Sequence, residues 1–409
     1  MAFGVGMTEQ LDLRHLPDGF YDDPYPTYRA LQRADPVHRC ADGSWFLTRH
    51  ADLHRVYRDP RLFSSDKKQL FKPLFGDSPL YEHHTTSLVF NDPPLHTHVR
   101  KAIGDALSHR MITAMEPGLR ALVERLLTEL EARLEFDLVE DFASVIPVEV
   151  IGNLLRIPHA DRGRLRRWAG AILGALEFNL PPERRELGNA CVVEFVDYLR
   201  DFVAERRKNL TDDADDILSR LIRWESEDFR LSEQQLYHQC IFLLNAGHET
   251  TTNLIGNGVH ALLTHADELS RLRAEPGLVN SAVEEFLRYE SPVQLGNRVA
   301  TEDTVIGDVS IPTGAALTLC IGAANRDPGV YPDPDRLDLS RNPRDHLAFG
   351  GGIHTCAGLN VARLEARIAI PALLDRFPRL RLNGPPVRDR RARFRGFLSI
   401  PVATRWNQA

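Results

Sequence analysis

The stretch from Ser232 to about Leu263 constrains this chain more than any other. Ser232 and Gln235 match a capping box, in which a hydroxyl and an amide each satisfy a backbone group left over at a helix start. The residues that follow are unusually apolar, with Leu236, Ile241, Phe242, Leu243 and Leu244 crowded together. A long helix that is apolar all round has no face to offer water and belongs in the centre of a large fold.

The chain can supply such a fold. It has 409 residues, 43% hydrophobic and 26% charged, the mix of a globular protein with a sizeable core. With 50 basic against 57 acidic side chains the net charge is −7, which disfavours an overall basic nucleic-acid binder. The five cysteines, Cys40, Cys191, Cys240, Cys320 and Cys356, are odd in number and lack CxxC spacing. They suggest neither a disulfide framework nor a zinc ribbon, and a reducing cytoplasmic setting fits better. Met1 to Leu16 lacks the basic and apolar regions of a signal peptide. The longest nearly apolar run, Gly314 to Ala324, falls well short of the ~20 residues that span a bilayer, so no membrane association is expected.

Local patterns divide the chain coarsely. Leu16-Pro17-Asp18-Gly19 reads as a turn, Tyr25 to Ala34 as a helix ended by Asp35-Pro36, and Trp45 to Thr48 as a short strand. Residues 64–94 read as turn-rich and irregular, the character of a lid or binding loop. From Leu95 to Leu263 helical spacing dominates, as in Leu119, Leu122, Val123, Leu126, Leu127, Leu130 and Leu134, with a polar connector at Thr211 to Asp216. Val299 to Cys320 alternates like short strands around turns at Gly307-Asp308 and Pro312-Thr313-Gly314. A meander at Pro328 to Pro343 precedes a glycine loop at 350–352, a last helix over Leu359 to Arg376, and short strands from Phe377. The expected class is mainly α with small β-sheets (α+β). One domain is expected over 1–409, with 1–19 a flexible N-terminal segment.

Four stretches carry chemistry. In Phe349-Gly350-Gly351-Gly352-Ile353-His354-Thr355-Cys356-Ala357-Gly358 the glycines let backbone approach a bulky group, and Cys356 lies just before a helix start that favours a thiolate. Taken alone, Cys356 suits a soft metal ligand or a nucleophile, although a single cysteine is more often a small buried hydrophobe. Ala246-Gly247-His248-Glu249-Thr250-Thr251-Thr252 weakens an otherwise strong helix and suggests an opened turn with an acid and an alcohol. A zincin motif fails there, because Thr252 stands where the second histidine would be. Glu285 and Arg288 lie three apart, a spacing that is usually solvated and weak. His96 and Arg100 share a face if Leu95 onward is helical, which suits a carboxylate or phosphate. A metal bound by His96 and His98 is the alternative.

Together and in this order, these stretches resemble the cytochrome P-450 family of haem-thiolate monooxygenases, most of all its soluble bacterial members, over about residues 20–402. Phe349, Gly352, Cys356 and Gly358 meet the Phe-x-x-Gly-x-x-x-Cys-x-Gly pattern, extended by Ala362-Arg363-Leu364-Glu365. Ala246 to Thr250 meets the Ala/Gly-Gly-x-Asp/Glu-Thr motif, and Glu285 with Arg288 meets Glu-x-x-Arg. The resemblance implies a long central helix over haem b (iron protoporphyrin IX). Cys356 would be the axial thiolate, donating electron density that favours O–O cleavage. Phe349 would shield the sulfur side, with Gly350 and Gly358 in the cofactor loop. His96, Arg100, Arg298 and His354 would hold the propionates. Glu249 and Thr250 would deliver protons while dioxygen, the cosubstrate, is activated. Glu285, Arg288 and Arg336 would form a structural ion network.

The sequence departs from the family pattern at Leu337, Leu95, His98 and Asn360-Val361, without loss of a reactive group. The implied activity is hydroxylation or oxidative demethylation of a small hydrophobic substrate in a monomeric enzyme. The pocket would be lined by the 70–90 loop, the 170–180 region, Leu243, Ala246, Val293, Leu295 and Leu398. Lys72, His83 and His84 read as exposed loop residues, with a substrate carboxylate as their other use. NAD(P)H would supply electrons indirectly, through a ferredoxin and ferredoxin reductase or a flavodoxin-type donor, docking on Arg100, Lys101, Arg110 and Arg344. Two other readings stand beside this one. A haem-thiolate sensor would not need Glu249 and Thr250, and a cysteine hydrolase would need a histidine base with an orienting third group.

Overall fold

The computed structural model describes residues 10–404 except 212, 213, 215, 224, 227 and 228, so residues 1–9 of the expected 1–19 segment and half of the expected Thr211–Asp216 connector lie outside the described residues. Helices dominate and the sheets are small, as the sequence implied. The chain forms two compact units. One comprises the segment ending at Phe63, Pro117–Ile146 and the chain from Thr250, and the other comprises Ser64–Glu116 and Pro147–Glu249.

The first unit is built around a sheet in which Val37–Arg39, Trp45–Leu47, Ala316–Cys320 and Leu295–Ala300 lie side by side. Its middle pair is parallel and its flanking pairs antiparallel. Leu47, Leu53, Val56, Phe63, Leu317 and Leu319 fill the core beneath it. The middle pair is buried on both faces, Trp45–Leu47 throughout and Leu317–Cys320 likewise, so it lacks the alternation expected after Val299. A hairpin of Thr304–Ile306 and Val309–Ile311 turns at Gly307, whose φ of +56° suits glycine. Asp18–Asp22 is a short helix where a turn was expected, because Phe20 buries itself against the aromatic rings of Tyr21 and Tyr28. Tyr25–Ala34 and Leu359–Arg376 are helices with the expected bounds.

The second unit is helical. Arg162–Gly174 packs on Pro182–Lys208 through Trp168 and Phe195, whose ring centroids lie 4.4 Å apart. Residues 64–94 are ordered, against expectation. Helices Lys68–Phe75 and Pro79–Thr86 are followed by a 3-10 turn at Leu88–Phe90. Ser78 caps the second of these by accepting from Tyr81 N, and Pro79 sits at its first turn, where the missing N–H costs nothing. Burial of Phe71, Phe75 and Leu80 secures both.

The helix Glu233–Thr264 runs 32 residues and contributes to both units. Its capping box forms as read: Ser232 N donates to Gln235 Oε1 at 2.9 Å and Gln235 N to Ser232 Oγ at 3.1 Å. Among the described residues no helix is long and apolar enough to cross a membrane.

Candidate active site

The cysteine loop belongs to the first unit. Cys40, Cys191, Cys240 and Cys320 are buried, and Cys356 alone is half-buried. Burial pushes the thiols of Cys40 and Cys240 up to about 12, so neither is a ready thiolate. The Cys356 amide donates to Phe349 O at 2.9 Å, which closes residues 349–356 into one loop. The helix Leu359–Arg376 starts immediately after Gly358. Gly350 and Gly352 have φ near +65° and +64°, values that side chains with a Cβ resist. The close backbone approach expected of the glycines is to Tyr57: a Cβ on Gly352 would lie 2.0 Å from Tyr57 O. Around Gly358 nothing lies within 4 Å of a Cβ position, and residues 353–359 are all exposed or half-exposed. His354 closes the 3-10 turn Gly352–His354. Arg298 is buried, stacks 5.2 Å from the Tyr57 ring centroid and donates to Asn297 O at 2.7 Å.

The Ala246–Thr252 stretch is unbroken α-helix, not the opened turn expected of it. Gly247 serves packing instead. A Cβ there would stand 3.3 Å from Ile151 Cδ1, so the glycine lets a neighbouring helix approach. Phe242, Gly247 and Thr250 are half-exposed and Ala246 exposed, one open face at a spacing of about four residues. Glu249 and His248 are buried on the other sides. Burial, with the charge of Arg166, brings His248 down to about 4, so it is neutral at pH 7.

His96 and Arg100 fall one turn apart on the helix Leu95–Ala106, with His96 buried and Arg100 half-buried. Of the five expected pocket positions, Leu243 and Leu295 are buried, Val293 is half-buried, and Ala246 and Leu398 are open. His83 and His84 are buried rather than exposed, and Lys72 pairs with Asp77.

Glu285 and Arg288, weak by spacing, are fully buried and form a two-pronged pair, both bonds 2.8 Å. Arg288 also donates to the carbonyls of Asn325, Pro334 and Arg336 at 3.0, 2.7 and 3.2 Å. Arg336 therefore joins through its backbone only, and its side chain is exposed. The second cation on Glu285 is Arg341, at 3.3 Å. The sequence reading missed it because the meander has no periodicity from which to project a side chain.

The chemistry of the cysteine loop fits an iron-bearing ring. The cysteine loop offers one accessible thiol on an open surface ahead of a helix start, and His96, Arg100, Arg298 and His354 are the donor types that propionates require. Comparison with known proteins agrees. The family signature for Cytochrome P450 matches residues 172–406. The vitamin D(3) 25-hydroxylase of Pseudonocardia autotrophica is 40% identical over 93% of each chain. The 6-deoxyerythronolide B hydroxylase of Saccharopolyspora erythraea is 37% identical over 90% of this chain and 91% of its own. The crystal structure of P450BioI in complex with an acyl carrier protein superposes with a TM-score of 0.89, at 32% identity, over 95% of this chain and 100% of that one.

The chain belongs to the cytochrome P450 family.

This P450 is a monooxygenase by family, and the family uses haem and dioxygen. Its fold is the P450 fold. Three polar sets of this P450 escaped the sequence reading. Glu290 meets Arg395 and lies 3.7 Å from Arg388; burial raises its carboxyl, but these cations and Arg326 outweigh it and hold the group at about 2. Glu284 meets Arg363 and His346. His83, His84 and His238 cluster with ring centroids 5.2 and 5.5 Å apart. Paired signals such as Glu284-Glu285 and His83-His84 were visible, but the partners of Glu284 lie 62 and 79 residues away and that of His83 lies 155 away.

Proposed function

We propose that Cys356 is the thiolate ligand of haem iron and that this P450 hydroxylates or oxidatively demethylates a hydrophobic organic substrate. The observation that carries the reading is Cys356 itself, the one cysteine that is not buried, on a loop closed by its own amide. Haem, when bound, supplies the oxygen chemistry, and the protein supplies ligation, orientation and water exclusion. By the family resemblance, His96, Arg100, Arg298 and His354 would hold the propionates through hydrogen bonds. Phe349 covers the sulfur side. The buried Glu249 carboxyl holds a proton, which passes by way of the Thr250 hydroxyl on the open helix face.

The substrate is apolar, in keeping with Leu243, Ala246, Val293, Leu295 and Leu398, and relatives named for vitamin D(3) and 6-deoxyerythronolide B support that class. Electrons come from NAD(P)H through a ferredoxin or flavodoxin-type donor and its reductase. Lys101, Arg110 and Arg344 are exposed and suit an acidic redox protein. Replacing Lys101 and Arg344 with Glu slows haem reduction if they serve docking. The 1–409 chain acts as one functional domain. The carboxylate–arginine sets at Glu284, Glu285 and Glu290 hold the cysteine-loop unit rigid.

The deciding experiment is the optical spectrum of the dithionite-reduced protein with carbon monoxide. A strongly red-shifted Soret band, lost in Cys356→Ala, is expected. A band typical of neutral ligation, or none, refutes the assignment. Thr250→Ala keeps that band but forms more hydrogen peroxide per NAD(P)H consumed. Unchanged coupling removes Thr250 from the proton path.

A further inference from the structure

Phe349 is held as well as placed. Glu284, in the helix Val279–Tyr289, receives a forked pair of hydrogen bonds from Arg363: Nε to Oε1 and Nη2 to Oε2, both 2.7 Å. His346 Nε2 lies 3.0 Å from the same Oε2. These two partners of one carboxylate flank one ring. The Arg363 guanidinium carbon lies 4.8 Å from the Phe349 ring centroid, and the His346 ring lies 5.7 Å from it at 48°. The other end of Phe349 is equally fixed, since its carbonyl takes the Cys356 amide at 2.9 Å. One ionic set is thus connected to the cysteine by a single residue.

Burial acts to raise the Glu284 carboxyl, but the hydrogen bonds from His346 and Arg363 overcome it and hold the group at about 2. The carboxylate is therefore charged, and its fork is charge-assisted. The neighbouring Glu285 points about 100° away around the helix and serves the meander instead. Adjacent glutamates on one helix thus fasten two different segments.

We propose that Glu284, Arg363 and His346 form a clamp that positions the Phe349 ring and, through Phe349, sets the redox behaviour of the Cys356 site. The inference rests on Cys356 being the haem ligand. The apolar shell and outer partners around a metal-bound sulfur govern its dielectric and its reduction potential. Arg363 and His346 are positioning residues, since they touch the shielding ring and the orienting carboxylate, not the sulfur.

The test is spectroelectrochemical titration of the purified holoprotein. In Arg363→Met the equilibrium constant for haem reduction shifts at least tenfold, which is about 59 mV for one electron. Arg363→Lys keeps a cation near the ring and recovers part of the shift. In a Phe349→Leu background the Arg363→Met change falls below threefold, because no ring remains for the clamp to hold. If Arg363→Met does not fold, the Glu284→Gln, Arg363→Met double variant leaves no buried charge unpaired and carries the same titration. A potential that stays within threefold of the parent overturns the clamp, even if haem content or thermal stability falls. A shift of equal size in the Phe349→Leu background also overturns it. The parent's reduced carbon monoxide spectrum is recorded first. If its thiolate band is missing, the ligand assignment fails and the clamp falls with it. A thiolate band with an unmoved potential refutes the clamp alone.

Discussion

Two regions of this P450 bury ionisable side chains in opposite ways. Around Glu285, charge is buried and answered. Arg288 forks onto the carboxylate, Arg341 and the Asp338 amide complete it, and three carbonyls take the remaining guanidinium protons. Around His83, charge is avoided. His83, His84 and His238 are buried among Phe71, Phe75 and Phe90, and burial is the main cause that pushes all three down, His84 to about 3. Glu82 faces His238 at 3.8 Å and opposes the shift, but it is half-exposed and does not overcome burial. Among the described residues no hydrogen-bond partner meets His83 Nδ1, His84 Nε2 or His238 Nδ1. The first arrangement is a rigid joint that ties the helix Val279–Tyr289 to the meander. The second is a neutral aromatic packing that a proton would break, set in the segment 79–90 that Gln239 fastens by bonds to Leu88 N and Thr86 O.

The contrast predicts unequal losses. The largest effect is expected in Arg288→Met. It leaves Glu285 charged and buried with Arg341 alone, a loss of about 3–5 kcal/mol. Urea unfolding of the holoprotein measures it, and a loss under ~1 kcal/mol would erase the distinction between the two regions.

The next effect appears only in acid. A histidine held near 3 in the folded chain returns to about 6.5 on unfolding, so above pH 7 both states are neutral and nothing is gained or lost. As pH falls below 6.5 the unfolded chain takes up the proton first, and stability drops by up to about 1.4 kcal/mol per pH unit for each such histidine. His84→Phe fills the same aromatic site and removes one proton from that slope. Unfolding curves at pH 5 and 7.5 should converge by that amount, and an unchanged slope would take His84 out of the acid response. The carboxylates respond in the same sense but at lower pH, because their folded values are also depressed. Glu284 and Glu290, held at about 2, stabilise the fold above 4.5 and lose that effect as pH falls toward 2.

The smallest effects separate two arginines of the meander. Arg341→Ala removes the 3.3 Å bond to Glu285 together with exposed bonds to the carbonyls of Pro332, Asp333 and Arg336, and is expected to cost about 1.5–3 kcal/mol. Arg336→Ala stays within ~0.5 kcal/mol, since only its carbonyl joins the network. The opposite ranking would restore the assignment made from the sequence.

Local chemistry was legible in the sequence. The Ser232–Gln235 cap, the helix Leu359–Arg376 and the place of Cys356 just ahead of it all depend on neighbours within a few residues. The two helices in residues 64–94 were not legible. They are short, carry prolines at 73 and 79, and owe their stability to burying Phe71, Phe75 and Leu80. The opened turn at Ala246–Thr252 was misjudged for a related reason. Propensity counted Gly247 and three threonines as breakers, whereas packing on Ile151 uses the glycine and keeps the helix intact.

By itself the sequence determined the kinds of element, their order, and the residue types that can ligate, cap and carry protons, because these follow from periodicity and from bonds made nearby. Only the tertiary structure decided which charges meet. Glu284 chose Arg363 and His346, Glu285 chose Arg288 and Arg341, and the His83 cluster gained no cation or anion strong enough to charge it. The physical reason is that a side chain's spacing names its face on a helix. Whether burial there costs or stabilises depends on what another segment, tens of residues away, brings to the same point.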